Sequence, residues 1–223
     1  MAVKDGASYR ISATPAIIVA QLMGVASLTL MLVWLLKFRG GISVNTDNIQ
    51  RDFNGHPFFM LLGLIFLGGQ AIMAYKTIPG SRRTQKFVHL FLHLMALGLG
   101  SLGLYAAFKF HKDTKLADMY SLHSWLGMGA FVLYGLQWLL AFFTFWFPGA
   151  TMMARANYLP WHAFFGIVIF LMAIISAETG LVQKSFYSDL IHGSQALLVN
   201  FTGVAIFLFG IATILTVILP RAY

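Results

Sequence analysis

The chain has 223 residues, 59% of them hydrophobic and only 10% charged, with a mean hydropathy of +0.77. That balance excludes a soluble globular domain and marks an integral membrane protein. The absence of cysteine excludes disulfides, thiol chemistry and iron–sulfur clusters, and the net charge of +8 sits in short loops, where anchoring to anionic lipid accounts for it without nucleic acid.

Six stretches free of Asp, Glu, Lys and Arg follow in chain order: 16–36, 57–75, 87–108, 124–147, 160–177 and 196–219. Each has roughly the 17 to 25 residues that cross about 30 Å of hydrocarbon at 1.5 Å per residue. Backbone in lipid must satisfy its own hydrogen bonds, so all six are predicted to be helices. The fourth is taken back to about 120 and the fifth on to about 181. The gaps are too short for a soluble domain, and the expectation is an all-α, polytopic membrane protein forming a single unit over 1–223. The first run is too long for a signal-peptide core and is expected to remain as a helix. The N-x-S/T triplet Asn200-Phe201-Thr202 falls inside the sixth run and is read as a chance match. Lys and Arg number 8 on the side shared by the termini and 7 on the other. With the densest cluster (Lys76, Arg82, Arg83, Lys86) on the first of these, the count leans toward cytosolic termini.

The histidines carry the chemical signal. His56 lies at the start of the second helix, His89 of the third, His123 of the fourth and His162 of the fifth. Because successive helices alternate in direction, His56 and His123 share one depth, and His89 and His162 share the other. Pro57 and Pro160 stand near His56 and His162, and proline is tolerated in a first turn, so these histidines are expected close to helix starts. Ionisable residues in a bilayer are costly and usually mark a function. Two imidazoles on facing helices can fill both axial positions of a haem iron, and two such centres stacked along the membrane normal form an electron path. Gly63, Gly68, Gly69, Gly98, Gly100, Gly103, Gly127 and Gly129 leave room for flat rings. A histidine-based transition-metal transporter competes. It lacks a midplane acid: Glu178 is the only carboxylate adjoining an apolar run, about sixteen residues along the fifth helix from His162 and so near the opposite face. His93, four residues after His89, shares its helix face, and spacing leaves both open as partners of His162.

The strings "FRGG" (38–41), "FNGHP" (53–57), "KFVHL" (86–90), "YSLHSWLG" (120–127) and "PWHAFFG" (160–166) together resemble the cytochrome b561 family, over about residues 20 to 219, with the plant vacuolar branch most similar. The resemblance implies a six-helix, ascorbate-dependent transmembrane reductase with two haems b. It implies His56 and His123 as ligands of the non-cytosolic haem iron and His89 with His162 for the cytosolic one, leaving His93 to support a ligand or to pack. It further implies a vacuolar or other endomembrane location, cytosolic termini and a homodimer. Gln195 stands where relatives tend to carry an acid.

Ascorbate is a monoanion at neutral pH, so its site should be basic. Lys86 shares a helix face with His89, Arg82 precedes it, and Arg155 lies seven residues before His162. By resemblance these are the ascorbate-binding positions. On the other face Lys109, His111 and Tyr120 are the candidates for an acceptor, which the resemblance identifies as monodehydroascorbate or a ferric chelate. His192 has no comparable company.

Overall fold

The computed structural model describes residues 12–43 and 46–220, so Lys4, Arg10 and Arg221 of the charge count lie outside it. Six helices are long and apolar enough to cross a membrane: α1 (Thr14–Phe38), α2 (Ile49–Thr77), α3 (Arg82–Thr114), α4 (Leu122–Trp146), α5 (Met152–Tyr187) and α6 (Ser194–Ile218). Among the described residues there is no strand.

Several helices run past their apolar segments because polar residues cap them early. Ser81 accepts from the Thr84 amide to start α3, and Thr151 does the same for Ala154 at the start of α5. Ser121 and Ser124 exchange a reciprocal capping pair at α4. The early start of α5 corrects the expectation for Pro160 and His162. Pro160 is the ninth residue of the helix, not part of its first turn, and His162 the eleventh. His89 is likewise the eighth residue of α3, whereas His123 stands in the first turn of α4 and His56 in the first turn after a break at Asn54. The second helix is not uniform: a π-helical stretch, Leu61–Leu67, interrupts it just beyond His56. Such local widening is frequent beside functional sites.

Helices α1 and α6 pack closely, as do α2 with α3 and α4 with α5, while α3 and α4 touch only lightly. The two hairpins α2–α3 and α4–α5 face each other and meet at mid-depth, where Leu64, Ala96, Tyr134 and Ile169 pack in one buried cluster. Small residues set the close approaches. A Cβ on Gly63 would lie 2.9 Å from the Ala96 carbonyl oxygen, so only glycine lets α2 lie this near α3. Inside the bundle Gln21 and Gln70 exchange amide hydrogen bonds of 2.9 and 3.0 Å between α1 and α2. Lys76 donates to the last carbonyls of α6, at Thr216, Val217 and Leu219, and ties the end of α2 to the end of the bundle where α1 begins and α6 finishes. At the opposite end Asp52, 2% exposed, accepts from Ser43, Thr46 and Lys109 and clamps the first loop onto α3.

Candidate functional site

The four histidines meet in two pairs across the gap between the hairpins. The ring centres of His56 and His123 are 5.9 Å apart at the end opposite the start of α1. Those of His89 and His162 are 6.2 Å apart at the end where α1 begins and α6 finishes. One metal ion at an ordinary imidazole bond length of about 2 Å on each side would hold facing rings at roughly this separation.

The hydrogen bonds fix which nitrogen is presented. The Nδ1–H of His56 donates to the Gly103 carbonyl at 3.0 Å, that of His89 to Ala71 at 2.8 Å and that of His123 to Ser176 at 2.8 Å. Since a carbonyl only accepts, Nδ1 carries the proton and Nε2 keeps the lone pair. That is the tautomer, and the backbone anchor, of a metal-ligating histidine. His162 differs, its Nδ1 being buried without a hydrogen-bond partner. The donor set fits haem iron, and it fits a bare cation poorly. Among the described residues no three His, Cys, Asp or Glu converge on one point, and the histidines come in twos.

Ser176, which anchors His123, lies fourteen residues beyond His162 on the same helix. At 1.5 Å per residue the two pairs are therefore about 21 Å apart along α5, most of the hydrocarbon thickness.

His93, left open by spacing, turns away from the pair. Its Nδ1 is hydrogen-bonded to the Tyr134 hydroxyl, and its ring lies edge-on to His89 at 4.5 Å. His89 is the residue whose ring faces His162.

A cavity of about 650 Å³ adjoins the His56/His123 pair, with walls that are mostly apolar. Two glycines shape it. A Cβ on Gly180 would stand 2.8 Å from the His123 ring, and one on Gly127 2.9 Å from the Ser176 hydroxyl. Both lengths are below any ordinary carbon contact, so the ring of His123 sits where α5 has no side chain.

Around the other pair the basic residues are arranged unevenly. Lys86 donates to the Phe145 carbonyl at 3.2 Å, and the Phe145 ring lies 5.4 Å from His162. Arg82 stands 5.9 Å over the Tyr75 ring, which in turn packs 5.3 Å from His89. Arg155 is exposed and makes no ion pair among the described residues. It lies seven residues before His162, about 10 Å up the helix.

At the far end His111 and Tyr120 both line the cavity. His111 Nδ1 is 2.9 Å from Asp118, and the Tyr120 hydroxyl accepts from Gln183. Lys109 is not on the cavity wall and pairs with Asp52 at 2.5 Å, with Asp113 beyond at 3.7 Å. Glu178 has one buried carboxylate oxygen without a partner, and His192 is exposed.

Sequence reasoning passed over Ser176, Gly180 and Lys184, all on the cavity wall. Their spacing of i, i+4, i+8 puts them on one face of α5, a signal that was present but had no reference until the cavity fixed which face mattered.

The model of the eukaryotic cytochrome b561 family matches residues 55–188. The chain is 42% identical, over 96% of its length and 93% of the relative's, to the probable ascorbate-specific transmembrane electron transporter 2 of Oryza sativa subsp. japonica. It is 40% identical to transmembrane ascorbate ferrireductase 1 of Arabidopsis thaliana, over 94% of this chain and 89% of that one. The transmembrane ascorbate-dependent reductase CYB561 of Homo sapiens is 42% identical over 76% of this chain and 66% of its own.

Proposed function

The chain belongs to the eukaryotic cytochrome b561 family, an oxidoreductase family that binds haem b, and from that premise we propose that it moves single electrons across the membrane from ascorbate to an acceptor on the opposite face, with two haems b per chain as resident cofactors. The observation that carries this reading is the pair of facing imidazole couples, 5.9 and 6.2 Å between ring centres, at the two ends of one bundle. Haem iron held by two imidazoles has no open position, and supplies one-electron chemistry without binding oxygen.

The remaining work belongs to the chain. His56 and His123 would hold one iron and His89 and His162 the other, each neutral imidazole offering Nε2. The carbonyls of Gly103, Ser176 and Ala71 hold three of these rings in orientation and make them better donors. Apolar walls keep water away from the cofactor at the His56/His123 end. Ascorbate, a monoanion, would dock near the His89/His162 end, which in this reading faces the cytosol with the termini. Lys86, Arg82 and Arg155 supply the positive charge there. At the other end His111 and Tyr120 would meet the acceptor, monodehydroascorbate or a ferric chelate. Lys109 could reach it only by leaving Asp52. A vacuolar or other endomembrane setting and a homodimer complete the proposal.

The ascorbate site has a direct test. Lys86→Ala and Arg155→Ala are expected to keep the haem spectrum and to weaken the apparent affinity for ascorbate by roughly tenfold each. Losing a hydrogen bond to a charged group costs about 1.5 to 3 kcal/mol, less where water substitutes. Stopped-flow reduction over a range of ascorbate concentrations reads this, and wild-type rates throughout would move the docking site elsewhere.

A further inference from the structure

The cavity beside His56 and His123 holds a cation that neither the ligand pairs nor the basic loops explain. Lys184 lies four residues after Gly180 and eight after Ser176, on the face of α5 that lines this cavity. Its ammonium stands 5.4 Å from the Phe53 ring centre, on the cavity wall. Among the described residues, no carboxylate lies within ion-pair distance of it; the ion pairs at this end are Lys109 with Asp52 and Asp113, and His111 with Asp118. Tyr120, Tyr187 and His111 on the same wall add polar groups that can donate or accept but bring no negative charge.

An ammonium aimed into an apolar, half-enclosed space without a counter-ion is unfavourable, and an aromatic face compensates only part of its lost hydration. The contrast with Lys109 sharpens the point. Lys109 is neutralised by Asp52 and stands off the wall, whereas Lys184 is on the wall and uncompensated. The missing partner is an anion that enters the cavity.

We propose that Lys184 binds an anionic oxygen group, a carboxylate or its equivalent, within the cavity beside His56 and His123. This rests on the reading of that cavity as the electron-delivering, haem-holding end. Two sources supply such a group: a carboxylate of the cofactor, or an anionic acceptor arriving from solution. In the second case Lys184 selects the acceptor by charge, a role that Lys109 and His111, each already paired with an aspartate, fill less well.

The test uses the purified holoprotein with Lys184→Met, which keeps the apolar stem, and Lys184→Arg, which keeps the charge. Haem content and the midpoint potentials are measured in all three proteins. Each is then placed in sealed vesicles loaded with ascorbate, with either ferricyanide, an anion, or hexaammineruthenium(III), a cation, outside. If the acceptor is the source, Lys184→Met weakens the apparent affinity for ferricyanide by roughly tenfold, Lys184→Arg restores most of it, and hexaammineruthenium reduction is unchanged or faster. If the cofactor is the source, Lys184→Met lowers the potential or the occupancy of one haem, since removing a nearby positive charge favours the ferric state, and ferricyanide affinity is preserved. Wild-type haem content, potentials and ferricyanide dependence in Lys184→Met would overturn the proposal. So would an equal loss with both oxidants at unchanged potentials, because that is a defect of shape rather than charge. The wild-type haem count separates the two levels of failure: a colourless wild type removes the parent reading and this inference with it. A red wild type with an indifferent Lys184 removes the inference alone.

Discussion

His123→Ala is expected to lower the haem content of the purified protein from the proposed two per chain to one. The His123 ring is fixed at both ends of its imidazole, by the Ser176 carbonyl at Nδ1 and by its position opposite His56, 5.9 Å between ring centres. Alanine removes the ligand and leaves His56 to face an enlarged apolar cavity alone. No other histidine of the described chain can replace it, since His111 is turned to Asp118 at the rim. His56→Ala should act in the same way. His89→Ala or His162→Ala should remove the other centre and leave this one, because the two pairs lie about 21 Å apart along α5. His93→Ala is the control: its ring is engaged with Tyr134, so both haems should remain. A pyridine haemochromogen count with redox titration of each variant reads all of this. Retention of two haems in His123→Ala, or loss of one in His93→Ala, would rewrite the ligand set.

Gly180→Ala should damage the same centre from the opposite helix. The added methyl would stand 2.8 Å from the His123 ring, and the three atoms nearest to it all belong to that ring. The strain therefore falls on one imidazole. Alanine is otherwise favoured over glycine in a helix interior by about 1 kcal/mol, so the fold itself gains a little. Opposite movements are expected: an unchanged or slightly higher thermal midpoint, with partial loss or an altered electron-paramagnetic-resonance signal of one haem. Gly127→Ala should do much less, since its methyl would meet the Ser176 hydroxyl, which can rotate away. Equal effects of the two alanines would mean that the glycines serve helix packing in general and not the seat of His123.

How much of this was legible in the sequence depends on the kind of signal. Charge-free runs mark the crossings because lipid excludes charge, and six helices duly appear. The ends of those helices were less legible, because a helix does not stop where lipid stops. Thr151 starts α5 nine residues before Pro160, so a proline expected in a first turn lies well inside. The depth pairing of the histidines followed from alternation of helix direction, a rule with no dependence on side-chain detail. Side-chain detail decided the rest. Whether His89 or His93 faces His162 turns on a hydroxyl from α4, forty-one positions from His93 in sequence. The pairing of Lys109 with Asp52 spans fifty-seven positions and could not be read from the local string "FKFHKD". Lys184 and Gly180 gave no signal of their own until the cavity defined which face of α5 was functional.

The central claim is that electrons cross the membrane through this chain, and sealed vesicles test it most directly. Protein is reconstituted with ascorbate trapped inside and ferricyanide, which does not permeate, outside. Bleaching of ferricyanide is expected to need both trapped ascorbate and haem-loaded protein, and to be abolished in His123→Ala and in His89→Ala alike. Ferricyanide reduction at the rate of protein-free vesicles, by a wild-type protein shown to hold its haems, would contradict it.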